Sequence, residues 1–499
     1  MSIDSSVSIV LFIPGIVAIC ALLRTFAPAY VPSFLLAASL AFYAMSDWQS
    51  GWLIILLMGI NLTTLAACER WPIKSRKLIS ASILLHFTPL VLWKYVYLGP
   101  MPLGLSFVTF LLISALLDIR SGAPRLGIIP QSLHALFFAS VTAGPVTRYK
   151  DFAPQLKTLG FRPVANITIC RGASIMVIGL AKISIIGRPI RDILDGILIT
   201  VNSGIAPTIL EAWYVAVGGF ISLYFLFSGY SDIALGVGMM VGLSLSANFD
   251  SPFKARSGAD FISRWHKTLM DWIRTYVFVP ITRAVMSLRF GTTTTVSFVA
   301  WAAASLTSFT IIGVWHGGSW PPILAGFVSG AIPVVLRLLG ILGFKTINFS
   351  AIKIVGRALL LGVITLISLP ILIQDFNILK PLIIALFDID SFGIGQNLTN
   401  RILKILPQAE ILQNQLAHPV MPNSSVSSLK AIFFLTVGAA IVFLLPNSLQ
   451  IFDLPNRSGP TRFIWRPSIS WGAFLGLIAI VSVVMSSQTQ STGFVYDAF

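Results

Sequence analysis

Charge is scarce in this chain. Asp, Glu, Lys and Arg make up 10% of its 499 residues, against 56% hydrophobic residues. A soluble chain is ordinarily about a quarter charged, so a water-exposed globular fold is excluded. Cysteine is limited to Cys20, Cys68 and Cys170, far apart and without CxxC or Cys/His spacing. That argues against a disulfide framework or a zinc site, and no metal is expected. No GxxxxGK[ST] loop, GxSxG elbow or HExxH helix occurs, which removes three familiar hydrolytic chemistries. No internal repeat is visible, which weakens an inverted-repeat transporter reading.

What the chain does have is apolar runs, many near or above the ~18 residues that a spanning helix needs. Candidate spans are 7–26, 30–47, 52–68, 78–98, 103–118, 172–188, 208–227, 230–247, 293–314, 322–342, 356–374, 431–447 and 468–486. The runs are continuous, whereas a barrel alternates in ~10-residue segments. The expected fold is therefore an all-α polytopic membrane protein, a single integral domain over 1–499, with about 11 to 13 transmembrane helices and some re-entrant segments. No Lys or Arg precedes the first apolar core, so that stretch reads as a retained helix and not as a cleaved signal.

The net charge of +16 sits in short loops and reads as the positive-inside bias, not as a nucleic-acid surface. Arg70, Lys74, Arg76 and Lys77 in "CERWPIKSRK" assign that loop to the cytoplasm. Both termini then fall outside. Ile128 to Pro145 conflicts with simple alternation. Arg120 and Arg125 precede it, and Arg148, Lys150 and Lys157 follow it. It is expected to be a re-entrant hairpin, the alternative being a span with unusual flanks. Residues 250–290 carry seven Lys/Arg and read as cytoplasmic interfacial helices with Trp265, Trp272 and Tyr276 at headgroup depth. Residues 388–430 read as an external polar loop.

Ionisable residues at membrane depth are costly and usually serve a path or a site. His316, in "IIGVWHGGSW", closes an apolar run. Gly317 and Gly318 break the helix there and let a ligand approach the backbone, and Trp315 and Trp320 are placed to wall a pocket. The plain alternative is an interfacial histidine in an aromatic belt. His266, in "SRWHKT", is either a partner or a solvated histidine on a basic helix. Asp232 shares a helix face with Ser228 and needs a partner. Tyr230 points elsewhere. His86 and His134 read as structural, and His418 has no evident role. A neutral imidazole accepts a proton from a hydroxyl and returns it, which suits acyl transfer from an activated thioester.

Four stretches together resemble the membrane-bound O-acyltransferase family, in its bacterial polysaccharide branch. They are "PLGLSFVTFLLISALLDIRSG" from Pro102, "AGPVTRYKDFAPQL" from Ala143, the long block from Phe227 to Pro280, and "GVWHGGSW" from Gly313. They cover residues 100–325, the family-like core. The resemblance implies helices around a central catalytic tunnel, His316 as the catalytic residue, and His266 in the family's second motif position. The chain departs from the branch at Ile262 and Ser263, at Arg274-Thr275-Tyr276, and at Ala181-Lys182, where a Lys pair is common.

The expected activity is transfer of an acyl group, acetyl foremost, from a cytoplasmic thioester such as acetyl-CoA, with no permanently bound cofactor. His316 would be the general base. His266 would orient the donor or stabilise the oxyanion. Arg256, Arg264 and Lys267 would attract donor phosphates, and Asp232, Tyr230, Trp315 and Trp320 would support the site. The acceptor would be an extracellular or periplasmic polysaccharide, or a periplasmic acetyltransferase partner, with the chain in a bacterial inner membrane. The alternatives are D-alanyl or long-chain acyl transfer on the same fold, or a transporter or channel without covalent chemistry.

Overall fold

A computed structural model describes residues 2–96, 99–288, 292–342, 353–391, 428–456 and 459–488. Its elements are helical, and no strand occurs among the described residues. In chain order they are α1 (Ser8–Phe26), α2 (Pro28–Asp47), α3 (Gly51–Arg70) and α4 (Pro72–Val96), followed by α5 (Leu105–Arg120), α6 (Ile128–Leu136), α7 (Phe138–Val141) and α8 (Tyr149–Leu156). Then come α9 (Asn166–Asn202) and α10 (Ile209–Met240), and three short helices, α11 (Gly258–Ile262), α12 (Lys267–Ile273) and α13 (Val279–Met286). The remainder are α14 (Thr293–His316), α15 (Trp320–Ile341), α16 (Lys353–Leu372), α17 (Phe376–Ala385), α18 (Ser428–Leu444), α19 (Ser448–Ile451) and α20 (Ile469–Gln488).

Nine helices among the described residues are long and apolar enough to cross a membrane, so the chain is an all-α multi-pass membrane protein. Two of the thirteen candidate spans, 208–227 and 230–247, are one helix. α10 runs unbroken for 32 residues, because Gly229 is spent on packing and not on a turn.

That packing brings two backbones close together. A Cβ placed on Gly229 would lie 2.6 Å from the Gly179 carbonyl, and one on Gly179 would lie 2.6 Å from the Gly229 carbonyl and 2.9 Å from Asp232 Cβ. Seven residues away on each helix, a Cβ on Gly172 would lie 2.6 Å from the Gly236 carbonyl. Two turns of glycine on each partner thus bring α9 and α10 into backbone contact. In lipid, close small-residue packing replaces the hydrophobic drive that water would supply. Gly229→Val is expected to destabilise by about 1–3 kcal/mol, the usual cost of overpacking. Gly59→Val, where a Cβ meets open space, is expected to be near neutral. Thermal unfolding of both variants in detergent checks this.

The segment between Ile128 and Val141 is broken at Phe137, whose ψ of 114° interrupts the helix, and residues 131 to 147 are buried throughout. His134 accordingly packs inside the protein, 3.0 Å from the Thr147 carbonyl and between Tyr149 and Phe152. His86 likewise lies 2.6 Å from the Ser82 carbonyl one turn earlier.

Within 250–288 the chain forms short helices that pack against the rest of the protein. Lys267 to Met286 is one helical course with a π-helical turn at Arg274–Phe278. It starts beside Trp315 at the far end of α14, yet it precedes the start of α14 in the chain by only a few residues. The two therefore run antiparallel, side by side. Trp272 is 3% exposed and donates its indole N–H to the Phe110 carbonyl at 3.0 Å. Tyr276 donates to Asp118 at 2.7 Å. Trp265 stacks on Phe220 and Phe261. These aromatics anchor the segment to the rest of the protein. Most of the external polar loop expected at 388–430 lies outside the described residues.

The apolar interior divides into two main clusters. The larger draws on segments from Ile3 to Leu475 and includes Phe227 and Phe249. The second includes Phe110, Leu269, Trp272 and Trp315. His266 lies at the seam between them, in ring contact with Phe227 of the first and near Trp315 of the second.

Candidate functional site

The site is assembled from three chain segments. The first is the C-terminal end of α14. His316 is its last residue, and the chain turns extended at Gly317. A helix end leaves its last carbonyls without intrahelical partners, and here other segments fill them. Lys94 Nζ donates to the Trp315 carbonyl. Tyr95 Oη donates to the carbonyls of Val314 and Gly317, both at 3.0 Å. Gln374 Nε2 donates to the His316 carbonyl at 3.0 Å. The glycines after the histidine serve this capping. A Cβ on Gly317 would lie 2.7 Å from the Gln374 carboxamide carbon, and one on Gly318 would strike the Lys94 carbonyl. The close approach expected for a ligand is thus made by Lys94 and Gln374. Trp320 does not wall a pocket either: it is 81% exposed at the start of α15.

The Lys94 ammonium also lies 5.3 Å from the centre of the Trp315 ring, so one cation pins both the backbone and the indole beside His316. Lys94→Met is expected to lose about 1.5–3 kcal/mol, the worth of a hydrogen bond to a charged group, and to loosen the position of His316. A fall in thermal midpoint accompanied by lower activity checks this.

The second segment is the loop from Ala247 to His266. It is folded back on itself by two backbone hydrogen bonds, Asp250 N–H to the Arg264 carbonyl at 3.0 Å and Lys267 N–H to the Asn248 carbonyl at 2.9 Å. This clamp delivers His266 to the start of α12 in a left-handed conformation, φ 42° and ψ 51°. Such backbone is uncommon outside glycine and concentrates at functional sites. His266 is 4% exposed. Its ring packs edge-on to Phe227 at 4.6 Å and lies 6.5 Å from the Trp315 ring, which in turn lies 4.6 Å from the His316 ring. Two histidines fifty residues apart thus share one indole.

The third segment is the α9–α10 contact. Asp232 accepts from Lys182 Nζ at 2.6 Å and from Ser448 Oγ at 2.5 Å, and Lys182 also donates to Ser448 at 2.7 Å. Lys182 begins a π-helical turn within α9, a form frequent at functional positions. A small cavity lies between this cluster and Asn248, with Tyr224, Ser228 and Ser231 in its lining.

Other expected site residues are placed elsewhere. Tyr230 donates to Asp4 at 3.1 Å, and Asp4 also pairs with Arg188, so Tyr230 ties down the N-terminus. Arg264 is engaged with Asp260 at 2.7 Å and with the Asp250 carbonyl at 3.1 Å. Burial alone would raise the Asp260 carboxyl, but the hydrogen bonds from Arg264 and the Arg256 amide, with their charges, hold it below its usual range. Arg256 is exposed and Lys267 half-buried. Lys94, Gln374, Asn248 and Ser448 were missed by sequence reasoning. Only Lys94 carried a signal, as a lone cation at the end of an apolar run.

A family model described as MBOAT, the membrane-bound O-acyltransferase family, matches residues 40–335. The chain is 30% identical over 243 residues to a Pseudomonas aeruginosa protein named "Probable alginate O-acetylase AlgI", covering 48% of this chain and 44% of that one. It is 28% identical over 256 residues to the peptidoglycan O-acetyltransferase of Helicobacter pylori, covering 46% of each. It is also 28% identical over 252 residues to the teichoic acid D-alanyltransferase of Streptococcus thermophilus, covering 49% of this chain and 59% of that one. The chain spans about half the length of the curated relatives it matches.

Proposed function

The chain belongs to the membrane-bound O-acyltransferase family, and from that premise we propose that it transfers an acyl group, acetyl foremost, from a cytoplasmic thioester to a hydroxyl on the far side of the membrane. The observation that carries this reading is the convergence of His316 and the buried His266 on Trp315, at the seam of two apolar clusters. Sites at such seams are where ligands bind in helical proteins.

In the reaction, His316 takes the proton of the acceptor hydroxyl as its oxygen attacks the thioester carbonyl. The tetrahedral intermediate expels the thiolate, which receives that proton and leaves as free thiol. An ester forms, a thioester breaks, and no cofactor stays bound. Acetyl-CoA is the proposed donor. Exposed Arg256 and half-buried Lys267 form no ion pair among the described residues and attract its phosphates, whereas Arg264 is committed to Asp260. Asp271 and Arg274 are exposed on the helical course that runs beside α14. Charges at membrane depth need water, which supports an aqueous approach for a polar donor.

The proposed acceptor is an envelope polysaccharide, reached directly or through a periplasmic acetyltransferase, with the chain in a bacterial inner membrane and both termini outside. The test is the purified chain in proteoliposomes with acetyl-labelled acetyl-CoA. Free thiol release with label appearing on a hydroxyl acceptor supports the reading. Uptake of label without thiol release would instead mark a transporter. The D-alanyl relative makes a D-alanyl thioester the second donor to try.

A further inference from the structure

A directional chain of hydrogen bonds ends on His266. The Val146 N–H donates to Thr268 Oγ1 at 2.9 Å. The Thr268 hydroxyl in turn donates its hydrogen to Asn248 Oδ1 at 2.5 Å. Asn248 Nδ2 donates to Ser231 Oγ at 3.0 Å. Asn248 Oδ1 also meets His266 Nδ1 at 3.2 Å. The amide orientation is decided by this order. With Asn248 flipped, both its NH2 and the Val146 N–H would point at Thr268 Oγ1, and the Thr268 hydroxyl hydrogen would lose the acceptor it has here. Oδ1 therefore faces the imidazole, and Nδ1 carries the hydrogen.

We infer that Asn248, held by Thr268, is a positioning residue that fixes His266 as the Nδ1–H tautomer, so that His266 presents a lone pair and not an N–H to the acyl-transfer site. Nε2 is buried and has no hydrogen-bond partner among the described residues, so it is the atom left for a substrate. In the neutral ring it receives a donor, a hydroxyl or amide N–H of the bound substrate. The oxyanion role expected of His266 needs a hydrogen on Nε2, which this network withholds until the ring takes up a proton. His266 then acts as an acceptor beside His316, and the oxyanion is held by other groups. The inference rests on the proposed acyl transfer.

The test uses the full chain in proteoliposomes with acetyl-CoA, reading thiol release. Asn248→Ala removes the acceptor for Nδ1–H and is expected to lower kcat about 10- to 100-fold, the usual cost of an orienting partner, with KM within about threefold. Asn248→Asp keeps an oxygen facing Nδ1 and is expected to recover kcat to within about threefold of wild type. Thr268→Val, which frees the amide to flip, is expected to fall between them. Thermal unfolding identifies any variant that fails to fold. If Asn248→Ala is misfolded, Asn248→Asp and Thr268→Val carry the comparison. Unchanged kcat in Asn248→Ala, or Asn248→Asp as impaired as Asn248→Ala in folded protein, overturns the inference. When His316→Ala is inactive in the same assay, that failure leaves the acyl-transfer reading standing. No thiol release by wild type overturns both.

Discussion

His316→Ala lowers turnover of the thioester about 10²- to 10⁴-fold, the range that general-base catalysis supplies, while KM for the donor changes little. The expectation follows from where the side chain sits. His316 ends α14, and its backbone carbonyl is held by Gln374 while the preceding carbonyl is held by Lys94. Those contacts are to main chain, and alanine keeps them. Loss of the imidazole therefore removes a proton acceptor without removing the cap, and the thermal midpoint stays near wild type. A loss confined to kcat is what a group acting in the transition state produces. His316→Gln, which keeps polarity and bulk but has no comparable basicity, is expected to be as inactive as His316→Ala. Near-wild-type thiol release by either variant would remove His316 from the chemistry.

Asp232→Ala destabilises the protein by about 3–5 kcal/mol, because it leaves the Lys182 ammonium buried with its carboxylate gone. Lys182 and Asp232 are 15% and 8% exposed at their side chains, so little water is at hand to replace the lost partner. Three segments meet at this carboxylate: α9 through Lys182, α10 through Asp232 itself, and α19 through Ser448. The double variant Lys182→Met with Asp232→Leu is expected to recover most of the loss, since an apolar pair of similar volume is often as stable as a buried ion pair. Ser448→Ala removes one hydroxyl and is expected to cost about 1 kcal/mol. Thermal unfolding in detergent ranks the three. A single variant Asp232→Ala as stable as wild type would show that Lys182 finds another partner or water.

Much of the architecture was legible in the linear chain. Long continuous apolar runs with few charges have only one way to satisfy their backbone in lipid, so the helices of a multi-pass protein follow from hydropathy alone. The break after His316 was legible because two glycines follow a β-branched and aromatic run. The merger of 208–227 with 230–247 was not, since a glycine in an apolar helix reads the same whether it bends the chain or meets another helix. Only Gly179 opposite Gly229 distinguishes the two.

For segment 250–290, what the aromatic residues touch was not legible for a related reason. Its charges and aromatics look alike in sequence whether they face headgroups or a polar interior, and the rings of Trp272 and Tyr276 turned out to seek Phe110 and Asp118. Of the candidate site, the amino-acid order by itself determined which residues carry titratable groups in an oily setting, His316, His266 and Asp232. What joins them was decided by tertiary structure: Trp315 between the two imidazoles, Asn248 on His266, Lys94 and Gln374 at the end of α14, and Ser448 on Asp232. Apart from Trp315, which adjoins His316, those partners lie from 18 to more than 200 residues away in the chain. Local periodicity places a side chain on a face of its own helix, but it carries no information about which distant segment that face meets.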